Sequence, residues 1–134
     1  AWKVPLKVIF GHNDLLPANI LDDGKRLWLI DFEYAGFGTA MFDLANLASN
    51  AGLSPEESET LLQAYFPKGP TDEIRMSHMG MQCASLLREA LWSLVSEIHL
   101  NAPGADYDAY ARHNFDKFDR ALAAYKAAYP KGIS

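Results

Sequence analysis

The stretch that decides the reading is His12-Asn13-Asp14-Leu15-Leu16-Pro17-Ala18-Asn19, followed by Leu29-Ile30-Asp31-Phe32-Glu33. Between the two, Asn19-Ile20-Leu21 and Leu27-Trp28-Leu29-Ile30 flank Asp22-Asp23-Gly24-Lys25. An Asp-Gly pair between two apolar runs predicts a β-hairpin, because glycine accepts the positive φ that the turn needs. Asn19 enters the first strand and Asp31 leaves the second, so both belong at the open end of an antiparallel ribbon. A carboxylate and an amide oxygen there make half a cage for Mg²⁺, which takes oxygen ligands and completes its shell with water and phosphate. Asp14 stands on a loop beside the same point, where it can accept a proton from an attacking hydroxyl. The alternative is a pair of Asx-rich turns capped by their own side chains.

Upstream, residues 4–10 are apolar and β-branched, interrupted by Pro5 and Lys7 and closed by Gly11, which suits a short strand. Downstream, Gly36-Phe37-Gly38-Thr39-Ala40-Met41 begins like a dinucleotide fingerprint, but Met41 replaces the third glycine and no second strand of a βαβ unit follows. A flexible loop is expected there. From Thr39 the pattern turns helical, with Met41, Leu44, Ala45, Leu47 and Ala48 on one face and Gly52 as the stop. Ser54-Pro55-Glu56-Glu57 is a capping box that starts a helix running to about Phe66. Pro67, Gly69 and Pro70 then break the chain.

A long helix is predicted from about Asp72 to Leu100. Its apolar positions are Ile74, Met79, Leu86, Leu87, Leu91, Leu94, Val95 and Ile98, and Gly80 is its weak point. Asn101-Ala102-Pro103-Gly104 turns the chain into a last helix, from about Asp106 to Tyr129. With no repeat, low-complexity tract or linker, residues 1–134 read as one α+β domain, mostly helical, with a small β element at its start.

Composition narrows the function classes. The chain has 134 residues, with 12 Lys+Arg against 17 Asp+Glu and a formal net charge of −5. That balance argues against nucleic-acid binding, which rests on basic residues against phosphate. A single cysteine, Cys83, excludes an internal disulfide and a Cys-based zinc site; it reads as a buried small side chain and fits a reducing, cytoplasmic setting. No apolar run approaches the ~20 residues of a membrane span. His78, His99 and His113 lack metal-ligand spacing and read as solvated or satisfied helix residues. Arg112, Lys117, Arg120, Lys126 and Lys131, interrupted by Asp116 and Asp119, read as a solvated face.

The two motifs together resemble the kinase superfamily, whose catalytic loop is H-R-D-L-x-x-x-N and whose second element is D-F-G. Here the residues are His-Asn-Asp-Leu-Leu-Pro-Ala-Asn and Asp-Phe-Glu. The departures at Asn13 and Glu33 match the small-molecule branch, the aminoglycoside phosphotransferase and choline/ethanolamine kinase family. His-Asn-Asp-Leu, Asn-Ile-Leu and Ile-Asp-Phe-Glu-Tyr look particularly like choline kinases. The resemblance implies the carboxy-terminal lobe of a protein-kinase-like fold, with Asp14 as catalytic base and Asn19 and Asp31 holding Mg²⁺ against the phosphates of ATP. It implies supporting roles for His12, which opens the loop, and for Asp43 in Phe42-Asp43-Leu44-Ala45-Asn46, which braces it. A kinase of this kind also needs a Gly-rich phosphate cover and a strand lysine. Only eleven residues precede His12, so the amino-terminal nucleotide lobe is expected to lie outside this chain.

The distal helices carry a second constellation. Trp92 lies on the long helix, and Tyr107 and Tyr110 share a face of the last one. Aromatic faces attract cations and commonly cage quaternary ammonium groups. Leu91-Trp92-Ser93-Leu94-Val95 and Asp106-Tyr107-Asp108-Ala109-Tyr110 look like the segments that carry the choline cage in eukaryotic choline kinases. Those enzymes have a second Trp where this chain has Glu89, which can balance a cationic amine or favour a primary ammonium that donates hydrogen bonds. Glu33 is another candidate anion for the amine. The same aromatics also read as core between two antiparallel helices. The expected activity is ATP- and Mg²⁺-dependent phosphoryl transfer to a small amino alcohol, choline or ethanolamine. The alternatives are an aminoglycoside or other small-molecule phosphotransferase, and a non-catalytic lobe that binds a cationic ligand.

Overall fold

The structure, a computed structural model, describes residues 7–99 and 106–130. Four short strands, β1 (Val8–Gly11), β2 (Ile20–Asp22), β3 (Leu27–Leu29) and β4 (Gly36–Thr39), precede four helices, α1 (Ala40–Ala51), α2 (Pro55–Tyr65), α3 (Asp72–His99) and α4 (Tyr107–Ala128). A 3₁₀ turn, Pro17–Asn19, leads into β2. The mostly helical α+β character follows from the sequence as expected.

The β2–β3 hairpin forms where the Asp-Gly signal put it, with Ile20 opposite Leu29 and Asp22 opposite Leu27. Gly24 takes φ 80°, the left-handed region that its missing Cβ opens. Asp23 accepts from the Lys25 and Arg26 amides at 2.9 Å and from Trp28 Nε1 at 2.8 Å. The Trp28 bond, then those amides, hold the Asp23 carboxyl below its ordinary value.

The glycine-rich stretch expected as a loop is instead β4. It pairs antiparallel with β1, Val8 opposite Thr39 and Gly11 opposite Gly36. Its partner is distant in sequence, so local signals could not show the pairing. The glycines serve close approach: a Cβ on Gly11 would lie 2.8 Å from Asp43 Oδ2, and one on Gly38 would lie 3.2 Å from Asn13 Oδ1. Residues 4–6 of the expected first strand, and the 100–104 turn, lie outside the described residues.

Each early helix has a chemical start signal that the structure uses. Thr39 caps α1 through the Phe42 amide, and Gly52 ends it at φ 65°. Ser54 and Glu57 form a reciprocal capping box on α2. Arg75 on α3 meets Glu59 on α2 through two bonds of 2.8 Å. Its guanidinium holds the Glu59 carboxyl down at about 2.

α3 runs unbroken through Gly80 and packs against both α1 and α4. The close crossings select small side chains. Ala45 and Ala48 of α1, Ser85, Ala90 and Ser93 of α3, and Ala111 of α4 are all buried. Leu91 and Val95, expected on the apolar face, are therefore displaced outward and are about half exposed. The side chains of Ile98 and His99 lie outside the description. His78 is buried rather than solvated; its Nε2 has no partner among the described residues, and burial pushes its pKa down. Cys83 is free and buried. Among the described residues no helix is long and apolar enough to cross a membrane.

Glu59 has a depressed folded-state pKa, so its stabilising contribution is complete above the ordinary carboxylate value and fades as pH falls toward about 2. Glu59→Gln should therefore lower the melting temperature at neutral pH, and its difference from the unsubstituted protein should close between pH 4.5 and 2. Circular dichroism melts across that range check this.

Candidate active site

The loop between β1 and the 3₁₀ turn carries the site, and its backbone is held at nearly every residue. The Asp43 carboxylate, on the first turn of α1, accepts from the His12 amide through Oδ2 and the Asn13 amide through Oδ1, both at 2.8 Å. Asn46, one turn further on, accepts from the Leu15 amide at 2.6 Å and donates to Ser85 Oγ of α3 at 3.0 Å. Asn50 Nδ2 donates to the Leu15 carbonyl at 3.3 Å. A single helix face thus presents Asp43, Asn46 and Asn50 to a loop that cannot form its own ladder.

Asn13 sits at φ 61°, a left-handed conformation that asparagine tolerates better than most residues. Its Nδ2 donates to the carbonyls of Tyr34 at 3.1 Å and Gly36 at 3.4 Å. His12 is buried between the two motif segments. Its Nε2 is 2.9 Å from the Ile30 carbonyl, its Nδ1 is 3.3 Å from the Asp14 amide, and its ring tilts against Phe32 at 4.7 Å. One tautomer serves both bonds, with Nε2–H donating and Nδ1 accepting.

Asp14 is gripped on backbone and side chain. Its carbonyl accepts from Asn19 Nδ2 at 3.1 Å and from the Leu16 amide at 2.9 Å. Its Oδ1 accepts from Arg88 Nη2 of α3 at 2.9 Å. Arg88 also donates to the Asn13 carbonyl and, at 3.2 Å, to Glu89 Oε1. The guanidinium lies over the rings of Phe42 at 5.6 Å and Tyr34 at 5.8 Å.

Asn19 and Asp31 come to the same end of the hairpin, since the Ile30 amide donates to the Asn19 carbonyl at 3.0 Å. Asn19 is buried with its amide nitrogen committed to Asp14, which leaves its oxygen as the remaining donor atom. Asp31 is exposed at φ 63°. Both offer hard oxygen atoms, and that donor set fits Mg²⁺. No group of three or more His, Cys, Asp or Glu that could hold a metal occurs among the described residues. A two-ligand Mg²⁺ site completed by phosphate and water needs none.

A pocket of about 200 Å³ opens beside Asp14, lined by Asp14, Leu16, Tyr34, Arg88, Glu89, Trp92 and Tyr110. Asp14, Glu89, Trp92 and Tyr110, from three separate segments, are thus brought together. Tyr107 does not line it; its carbonyl accepts from Ser93 Oγ at 2.9 Å and secures the start of α4 against α3. Glu33 is exposed on the turn before β4 and does not line the pocket either. Burial pushes the Glu89 carboxyl up, with Arg88 pulling it down and Asp14 adding to the rise. Burial, then the Glu89 charge, pushes the Tyr110 phenol up. A larger, mostly apolar cavity of about 310 Å³ lies between α2, α3 and α4, away from this loop.

Residues 3–60 match the sequence model described as choline/ethanolamine kinase. The chain is 32% identical over 108 residues to protein LicA of Haemophilus influenzae, covering 78% of this chain and 40% of that protein. It is 30% identical over 107 residues to a probable ethanolamine kinase of Arabidopsis thaliana, covering 66% of this chain and 29% of that protein. Its fold matches the crystal structure of a choline/ethanolamine kinase family protein from Mesorhizobium loti. There the TM-score is 0.76 and the identity 29%, over 92% of this chain and 45% of that one. The chain is thus similar to members of the choline/ethanolamine kinase family. It has the fold of the carboxy-terminal lobe of these kinase-like proteins and spans about 40% of the length of LicA. Choline kinase LicA from Streptococcus pneumoniae matches with a TM-score of 0.68 and 26% identity, over 89% of this chain and 41% of that one.

The sequence reading missed Arg88, Asn46 and Asn50. Each meets the loop across a wide gap in sequence, so no local signal marked it. Asp43→Ala leaves two loop amides without acceptors, at about 1–3 kcal/mol each. A drop in chemical-denaturation midpoint with an unchanged denaturant slope checks this.

Proposed function

We propose that this chain supplies the acceptor-binding and phosphoryl-transfer half of an ATP-dependent amino alcohol kinase. The observation that carries the reading is Asp14, with one carboxylate oxygen tied to Arg88, at the wall of a small pocket that also holds Glu89, Trp92 and Tyr110. Similarity to the choline/ethanolamine kinase family supports it.

In this reading the acceptor's ammonium lies toward Glu89, Trp92 and Tyr110, and its hydroxyl lies toward Asp14. Asp14 orients the hydroxyl and takes its proton as the oxygen attacks the terminal phosphoryl group of ATP. The new oxygen–phosphorus bond replaces the one to ADP, which leaves. Arg88 and the Asn19 bond keep Asp14 in place, so little reorganisation is left for the reaction. Asn19 and Asp31 would hold Mg²⁺, which supplies positive charge against the phosphate oxygens.

The nucleotide-binding lobe would seat on the apolar surface of the β elements. Phe10 and Phe37 pack edge to face across β1 and β4 at 5.7 Å, yet are 64% and 85% exposed. Val8, Leu27, Phe32 and Tyr34 are exposed as well. Exposed apolar side chains in this number favour an interaction site.

With the full-length protein, Mg²⁺ and labelled ATP, Asp14→Asn should lower kcat for amino alcohol phosphorylation by about 10²–10⁴-fold. Retained turnover would remove Asp14 as the base. Asp31→Asn should raise the Mg²⁺ concentration that gives half-maximal rate, read from a metal titration at saturating ATP.

A further inference from the structure

The pocket beside Asp14 carries an unbalanced charge. Asp14 and Glu89 bring two carboxylates and Arg88 one guanidinium, which leaves one negative charge in excess among the lining residues. Arg88 occupies one oxygen of each carboxylate, Oδ1 of Asp14 at 2.9 Å and Oε1 of Glu89 at 3.2 Å. Among the described residues neither Asp14 Oδ2 nor Glu89 Oε2 has a donor, and neither is an enclosed orphan atom. Each carboxylate therefore keeps one acceptor that Arg88 does not occupy, and both residues line the same pocket as the side chain that ties them together.

The aromatic surface is limited by comparison. Trp92 and Tyr110 line the pocket, while the Tyr34 ring is engaged by the Arg88 guanidinium at 5.8 Å. Glu89 lies three residues before Trp92 and so shares its face of α3. A quaternary ammonium is held by aromatic faces around it; here a carboxylate takes up part of that wall. From this arrangement we infer that Glu89, positioned by Arg88, selects amino alcohols whose ammonium carries N–H bonds over their quaternary counterparts. The inference rests on the kinase reading above and adds which acceptor the site takes.

The physical basis is a charge-assisted hydrogen bond. An N–H donor satisfies Glu89 Oε2 and neutralises the excess charge, whereas a trimethylammonium removes water from the carboxylate and returns no hydrogen bond. A site built to meet a hydrogen-bonding group rejects the analogue that lacks it strongly, because its own buried polar atom is left unpaired. Only 8% of Glu89 is exposed, and an acceptor seated in the pocket covers what remains open, so that loss is not made good by solvent.

The test uses the full-length protein and the series ethanolamine, N-methylethanolamine, N,N-dimethylethanolamine and choline. The ratio kcat/KM should fall along the series, most steeply at the step that removes the last N–H. Glu89→Gln should reduce the ethanolamine-to-choline ratio about tenfold or more. Arg88→Met should lower kcat for every acceptor, with partial recovery in Arg88→Lys. An equal fall for both acceptors in Glu89→Gln, or a preference for choline that this change leaves alone, overturns the inference. Glu89→Asp, which keeps the charge but withdraws it, should move the ratio the same way and carries the test if the Gln variant does not fold. Calorimetric titration of ethanolamine and choline without ATP separates the two readings. Selective binding of ethanolamine with no phosphoryl transfer to any acceptor keeps Glu89 as the selecting residue and overturns the kinase reading. Turnover with a ratio that Glu89→Gln does not move does the reverse, and binding of neither acceptor overturns the inference.

Discussion

The Asp43 carboxylate holds the amides of His12 and Asn13, each at 2.8 Å, and the rest of the site depends on that grip. A loop that leaves a strand and turns sharply exposes N–H groups that no ladder satisfies, and buried amides left that way are costly. Asp43 meets two of them with one charged side chain on the first turn of α1. It requires Gly11 beside it, where a Cβ would come within 2.8 Å of the carboxylate. It also steadies Asn13 at a positive φ, which points the chain toward Asp14.

The same logic extends through the helices. Asn46 and Ser85 are fully buried polar groups that satisfy each other across the α1–α3 crossing, and Asn46 spends its oxygen on the Leu15 amide. The helix packing and the loop are thus one hydrogen-bonded unit. Arg88 joins from the other side, reaching Asp14, the Asn13 carbonyl and Glu89 from α3. A satisfied polar network of this kind specifies one arrangement because shifting a member strands a polar group in the interior. Small residues at the crossings, such as Ala45 and Ala90, bring the helix backbones near enough for those short side chains to reach.

Much of the local structure was legible from residue chemistry. The Asp-Gly hairpin, the Ser54–Glu57 capping box and the Gly52 stop each have a mechanism that acts within a few residues. Reading failed where partners are distant. Gly36–Thr39 looks like a loop until β1 is set against it. Leu91 and Val95 look like core until α1 and α4 take the opposite face of α3. Tyr107 was grouped with Tyr110 on helical spacing, yet only Tyr110 lines the pocket. Spacing places side chains on a face but does not say what that face meets.

The sequence by itself determined the family resemblance, the hairpin that gathers Asn19 and Asp31, and the place of Asp14 within its motif, because motif spacing and turn chemistry are local properties. Only the tertiary structure decided what surrounds Asp14. Arg88 lies far along the chain, on a helix whose rotation is set by close packing with its neighbours, and no pattern within α3 shows that it reaches back to the loop. The pocket, its excess negative charge and the face that Glu89 presents all follow from that rotation. They are long-range facts, fixed by which surfaces bury each other.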